Sequence, residues 1–240
     1  MEYLPVLDVF PPERERRWTV LLRLLLLIPQ AIVVALLGIV AAIVVFVGWF
    51  GALALGRLPE FAASYLSKYL AYETRVEAYG MLLVDRYPPF RFDALDTPDY
   101  PVRIAVTPGQ LSRLAVFFRL LLAIPAGIVQ AVVYSGWSVC CFFIWVVVLV
   151  LGRMPRAAFQ ATASVLRYKL RFEAYMYLLT SAYPKRLLGD QEGRDYDPSW
   201  GTASATRPLV LAGGGQGLLV LFIVLGVLAQ IGDGFGQHHR

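Results

Sequence analysis

The chain has 240 residues, 58% of them hydrophobic and 16% charged, with mean hydropathy +0.60 and a formal net charge of +5. A charged fraction so far below the roughly 25% of soluble domains excludes an ordinary soluble globule and points to a membrane protein. Cys140 and Cys141, the only cysteines, are adjacent in an apolar run, which excludes a disulfide framework and offers no metal-ligand spacing.

Residues 1–16 contain Pro5, Pro11 and Pro12 and predict a short extended piece rather than a helix. No cleavable signal peptide is expected before Thr19, because Glu13 to Arg17 are all charged. From Thr19 to Leu55 the chain carries a single charge, Arg23. As one helix this stretch would be about 55 Å long against a bilayer core of about 30 Å, so it predicts two transmembrane spans folded back near Gly38. Leu55-Gly56-Arg57-Leu58-Pro59 then supplies a helix C-cap, a cation at the carbonyl end and a helix start. Over 59–85, Tyr65, Tyr69, Tyr72, Val76 and Tyr79 step by four and three, predicting an amphipathic helix suited to the membrane interface, or to packing against the hairpin or a second repeat.

Sliding the chain by 96 residues lays Arg17–Pro88 on Arg113–Pro184 without a gap, with 29 of 72 positions identical. This internal duplication frames the architecture. The expected fold is an all-α integral membrane protein of two tandem repeats, each a transmembrane helical hairpin followed by an amphipathic interfacial helix with short flanking strands, plus a fifth transmembrane helix. Repeat 1 takes 1–92, with its hairpin at 19–55. Repeat 2 takes 99–186, with its hairpin at 115–151 and its amphipathic helix at 155–181. A polar linker at 187–207 and a C-terminal span at 209–231 complete the chain. Val102, Ile104 and Val106 alternate with Arg103 and Ala105, predicting a brief strand before the second hairpin that matches one before the first. An even number of spans per copy implies a pseudo-twofold axis roughly along the membrane normal.

Of the 22 Lys and Arg residues, 21 precede the fifth span, and the supposed hairpin turns carry none. With hairpins, every basic block up to Arg207 falls on one side. The positive-inside rule then predicts a multi-pass protein of the cell inner membrane with a cytoplasmic N-terminus. The ionisable positions shared by both copies are Arg23, Arg57, Arg75 and Glu77 with Arg119, Arg153, Arg171 and Glu173. Glu77 and Glu173 sit opposite the tyrosine stripe in apolar company, where a carboxylate is costly unless paired. They are expected to pair with Arg23 or Arg57 and with Arg119 or Arg153, the surplus positive charge meeting an anionic headgroup.

The Arg-containing first helix with Ile28-Pro29 and Ile124-Pro125, the Gly-Arg-x-Pro at 56–59 and 152–155, Arg-x-Glu-Ala-Tyr at 75–79 and 171–175, and Tyr87-Pro88-Pro89-Phe90 together resemble the bacterial membrane proteins grouped as domain of unknown function 4389. The resemblance covers about residues 1–186 as two copies and implies a two-helix membrane hairpin with a cytoplasmic amphipathic helix. Tyr183-Pro184-Lys185-Arg186 departs from the closing motif. The family brings no known activity.

No nucleophile-base constellation, phosphate loop, dinucleotide fingerprint or metal cluster stands in the sequence, so no catalytic residue, cofactor or metal is expected. His238 and His239 read as a tail. The leading expectation is a non-enzymatic scaffold or accessory subunit that binds anionic lipid, a partner membrane protein or its own copies at the cytoplasmic interface, without nucleic acid. The alternative is a small transporter or channel, which would have to use polar groups such as Gln30, Gln130, Tyr134, Ser135 and Ser138.

Overall fold

A computed structural model describes residues 4–12, 14–92, 100–106, 108–189, 206 and 209–237, with side chains to 232. The acidic stretch at 93–99, most of the 187–207 linker and the histidine tail lie outside the described residues. The elements in order are β1 (Val6–Val9), α1 (Arg17–Leu55), α2 (Glu60–Gly80), β2 (Val102–Ala105), α3 (Arg113–Phe117), α4 (Arg119–Leu151), α5 (Arg156–Met176) and α6 (Gly213–Gln237).

The hairpin expected inside 19–55 is not there. α1 is one helix of 39 residues, about 58 Å long, and runs through both Pro29 and Gly38. Gly38 is not a turn but a point of close approach, since a Cβ there would stand 2.9 Å from the Tyr69 hydroxyl. The second copy behaves alike: after a break at Phe118, α4 continues through Pro125 and Gly136 to Leu151. Gly136 admits α6, because a Cβ there would overlap the Phe222 carbonyl. The reversal comes instead at Gly56 and Gly152, whose φ values of 70° and 64° suit glycine.

Each repeat is therefore a hairpin of one long apolar helix and one shorter, mixed one. Leu58 and Ala62 meet Gly48, Tyr69 meets Gly38, Tyr72 donates to Gln30 and Arg23 donates to the Tyr79 carbonyl. Contacts thus move up α2 as they move down α1, and the two helices are antiparallel. The tyrosine stripe packs on α1 rather than lying in an interface. Of α2, only Glu60, Phe61 and Ser64 are exposed, so it has no free face to offer a membrane surface. α5 is equally enclosed.

Reciprocal contacts show a pseudo-twofold axis between the repeats. Trp49 Nε1 donates to the Val116 carbonyl at 3.1 Å and the equivalent Trp145 Nε1 to that of Val20 at 2.9 Å. Leu111 N bonds Gly56 O, and Glu15 N bonds Gly152 O, both at 2.9 Å. The β1–β2 ladder is antiparallel, and its Val6↔Ala105 pair becomes Val9↔Val102 under the 96-residue shift. Because the end of α1 touches the start of the second copy and the end of α4 touches the start of the first, α1 and α4 run in opposite directions. The axis is perpendicular to them.

Three layers result. The β-sheet contacts α2 and α5 on one side; α1 packs on α2, while α4 and α6 pack on α5 from the other. α6 follows α4 closely, with Gly136 against Phe222 and Gly226 against Val132. The outward faces of α1, α4 and α6 expose leucine, isoleucine, valine and phenylalanine throughout. Among the described residues three helices are long and apolar enough to cross a membrane: Arg17–Leu55, Arg119–Leu151 and the Gly213–Gly232 part of α6. Five spans were expected; three such helices are present because each supposed pair is one helix.

Candidate functional site

The shared ionisable residues separate into three environments. The first lies between α2 and α5, where Lys169 is ion-paired with Glu77, with Glu173 at 2.9 Å and with Glu73 at 3.5 Å. The Tyr177 hydroxyl stands 3.5 Å from Glu73, and the Tyr69 and Tyr177 rings lie 5.9 Å apart beside the cluster. Glu77 and Glu173 were expected to be held by arginines; both are held by Lys169. The reason is geometric, since α2 and α5 meet antiparallel along the 69/73/77 and 169/173/177 faces while the repeat arginines leave from other faces. Burial raises the carboxyls of Glu77 and Glu173, with Lys169 opposing and the neighbouring carboxylates reinforcing the rise. Burial pulls the Lys169 ammonium down, but Glu173, Glu77 and Glu73 together outweigh it and hold it above its ordinary value.

Glu73 and Lys169 occupy the same position in the two repeats, 96 residues apart. Four like charges would otherwise meet at the axis; the exchange of sign in one copy turns the crossing into a lysine within three carboxylates. Sequence reasoning missed both residues because it looked for recurring charges. The available signal was Glu73 and Glu77 at i, i+4, a like-charge pair that disfavours a helix unless a cation joins it.

The second environment holds the arginines at the buried starts of the long helices. Arg23 pairs with Glu15 at 3.1 Å and Asp85 at 3.5 Å, donates to the Tyr79 carbonyl at 2.9 Å and lies 4.5 Å from the Tyr79 ring. Burial raises the Glu15 carboxyl to about 7, with Arg23 opposing. In the second copy Leu111 and Ser181 replace Glu15 and Asp85. There Arg119 donates to the Thr180 carbonyl and sits 4.1 Å from the Tyr175 ring. Arg75 and Arg171 are buried too; Arg75 donates to Arg91 O, and Arg171 to Pro5 O and Lys185 O. These arginines tie the end of α2, the exit loops and the segment before β1 onto the helices.

The third environment is exposed. Arg57 and Arg153 follow the two glycine caps and make no ion pair among the described residues. Each has basic company from the other repeat: Arg113 lies beside Gly56, and Arg17 donates to the Val150 carbonyl at 3.3 Å. A cleft of about 780 Å³ opens near Arg23, lined by Phe10, Arg14, Arg16, Thr19, Arg86 and Tyr87 among others. Of the eight predicted site residues, the structure thus brings only Glu77 and Glu173 together, exposes Arg57 and Arg153, and buries the remaining four in structural contacts. No group of three or more His, Cys, Asp or Glu among the described residues has metal-holding geometry.

The family model described as Domain of unknown function (DUF4389) matches residues 17–92 and again 113–187. No curated protein and no solved structure matches the chain.

Proposed function

The chain belongs to the DUF4389 family, as two tandem copies, and on that premise we propose that it is a non-enzymatic membrane protein, a scaffold or accessory subunit that engages anionic lipid at the cytoplasmic side of the cell membrane. One observation carries this reading. Exposed arginines stand directly at the ends of an otherwise uncharged apolar surface: Arg57 and Arg113 at one end, Arg153 and Arg17 at the other. A side chain at such a boundary reaches phosphate while its stem stays in acyl chains. The buried polar groups support the same reading, since Arg23, Arg75, Arg119 and Arg171 bond the protein's own backbone and the Lys169 cluster joins the repeats. Partner proteins, including further copies of the chain, would assemble on the lipid-bound scaffold.

Vesicle binding tests this. Near anionic lipid each basic group contributes about 1 kcal/mol, so Arg57→Gln with Arg153→Gln should weaken binding to phosphatidylglycerol-containing vesicles roughly thirtyfold at low salt. Binding to neutral vesicles should be unchanged, and the difference should fade as salt rises. Parent-like binding to anionic vesicles by a folded double variant would refute the proposed role of these arginines.

A further inference from the structure

The pseudo-twofold axis has a consequence for how the protein meets a bilayer. The β1–β2 ladder maps onto itself under the repeat operation, so the sheet stands on the axis. That operation also exchanges the ends of α1 with those of α4. The sheet therefore sits midway along the molecule's long dimension, not at one end. Charge and irregular backbone gather there: Arg103 is exposed on β2, Arg86 lies under Tyr100, and Lys185 stands beside Pro5 through their shared donor Arg171.

Were α1 and α4 upright in a membrane, this sheet and its flanking loops would lie at the depth of the bilayer centre. Open sheet edges and lipid-exposed irregular backbone are not tolerated there, and charged side chains are costly there. Upright helices also fail on length, since α1 has no charge from Leu24 to Leu55 and, at about 48 Å for that part alone, exceeds a core of about 30 Å. A helix lying flat meets no such limit. Its diameter of about 10–12 Å fits within one leaflet's hydrocarbon, about 15 Å deep.

We infer that the protein is embedded in a single leaflet, with α1, α4 and α6 lying parallel to the bilayer plane and the pseudo-twofold axis along its normal. The occupant of the exposed apolar face is then the acyl-chain layer of one leaflet. The sheet, the exit loops and the N-terminal segment face water on the same side. Arg17, Arg57, Arg113 and Arg153 come to one level, at the corners of the apolar layer, where headgroup phosphates lie. α6 belongs to this layer because it tracks α4 from Gly136 to Val132. The inference rests on the reading that the apolar surface meets lipid, and it adds the orientation.

Leu25, Leu36 and Phe50 are exposed and lie on one face of α1 over about 37 Å of helix. Spin labels placed singly at these positions, in protein with Cys140→Ala and Cys141→Ala reconstituted into phosphatidylcholine–phosphatidylglycerol vesicles, report depth through collision with oxygen and with a water-soluble nickel chelate. A flat helix gives three hydrocarbon depths agreeing within about 5 Å. A depth that changes steadily along the helix, or is greatest at Leu36 and shallow at both ends, overturns the in-plane placement while leaving the lipid contact intact. Three labels open to the nickel chelate would instead overturn the lipid reading itself. The labelled side chains are more than half exposed, and parent-like helicity and elution establish that each variant is folded.

Discussion

Removing the cation at the axis should be among the most damaging single changes in the protein. Lys169→Met keeps length and apolar volume but leaves Glu73, Glu77 and Glu173 facing one another without the cation they share. Breaking a buried ion pair by deleting one partner costs about 3–5 kcal/mol. For a chain of this size that corresponds to a fall of roughly 6–20 °C in apparent melting temperature. The repeat symmetry supplies a rescue, because Glu73 is the equivalent of Lys169. Glu73→Lys combined with Lys169→Glu moves the lysine to the mirrored position, among Glu77, Glu173 and the carboxylate introduced at 169, and should recover all but about 1 kcal/mol of the loss. Circular dichroism melts in mild detergent would read both variants. Acid should also soften the single mutant's defect. Burial raises the Glu77 and Glu173 carboxyls, so the folded state holds protons to higher pH than the unfolded one, and stability from this source declines as pH rises above the ordinary carboxylate range. A Lys169→Met protein as stable as the parent at neutral pH, or a swap no better than the Lys169→Glu single variant, would refute the description of the cluster as a symmetric ionic joint.

Two further outcomes follow from particular contacts. Gly136→Leu or Gly226→Leu should displace α6 from α4, since even a Cβ at either site overlaps backbone of the other helix; loss of an engineered crosslink between α4 and α6, with the α1–α2 contacts retained, would show it. Glu15 carries a carboxyl raised from 4.5 to about 7, so its contribution to stability diminishes by up to about 3 kcal/mol as pH climbs through that interval and is level above it. Glu15→Gln should lose that slope, which chemical denaturation at pH 4.5, 6 and 8 would measure.

The duplication was legible because identity survives where the repeats need the same geometry: Gly56 and Gly152 at the reversals, Trp49 and Trp145 at the reciprocal bonds, Arg75 and Arg171 under the exit loops. The two strands were legible from prolines and alternation, and the aromatic stripe from its helical spacing, although that stripe packs on α1. The hairpin was misread because an apolar helix of 39 residues was fitted to the thickness of an upright bilayer, and Gly38 looked like the place to fold it. The physical cause of that glycine, the Tyr69 ring, is 31 positions away and has no local signature. Gly38 with Tyr69 is matched in the second copy by Tyr134 with Val165, so the large group simply changes helix. Complementary exchanges of this kind, like Glu73 for Lys169, lower the identity between repeats at the positions where they touch, and comparing the copies position by position conceals them.

The repeat architecture and the in-plane placement both require α1 to be one unbroken helix. A pair of spin labels at Trp18 and Leu55, both exposed and 37 residues apart, measures this directly by pulsed dipolar spectroscopy in lipid nanodiscs. A continuous helix places the two backbones about 55 Å apart. A distance below about 20 Å would restore a fold-back near Gly38 and contradict the repeat architecture, the antiparallel pairing and the in-plane placement together.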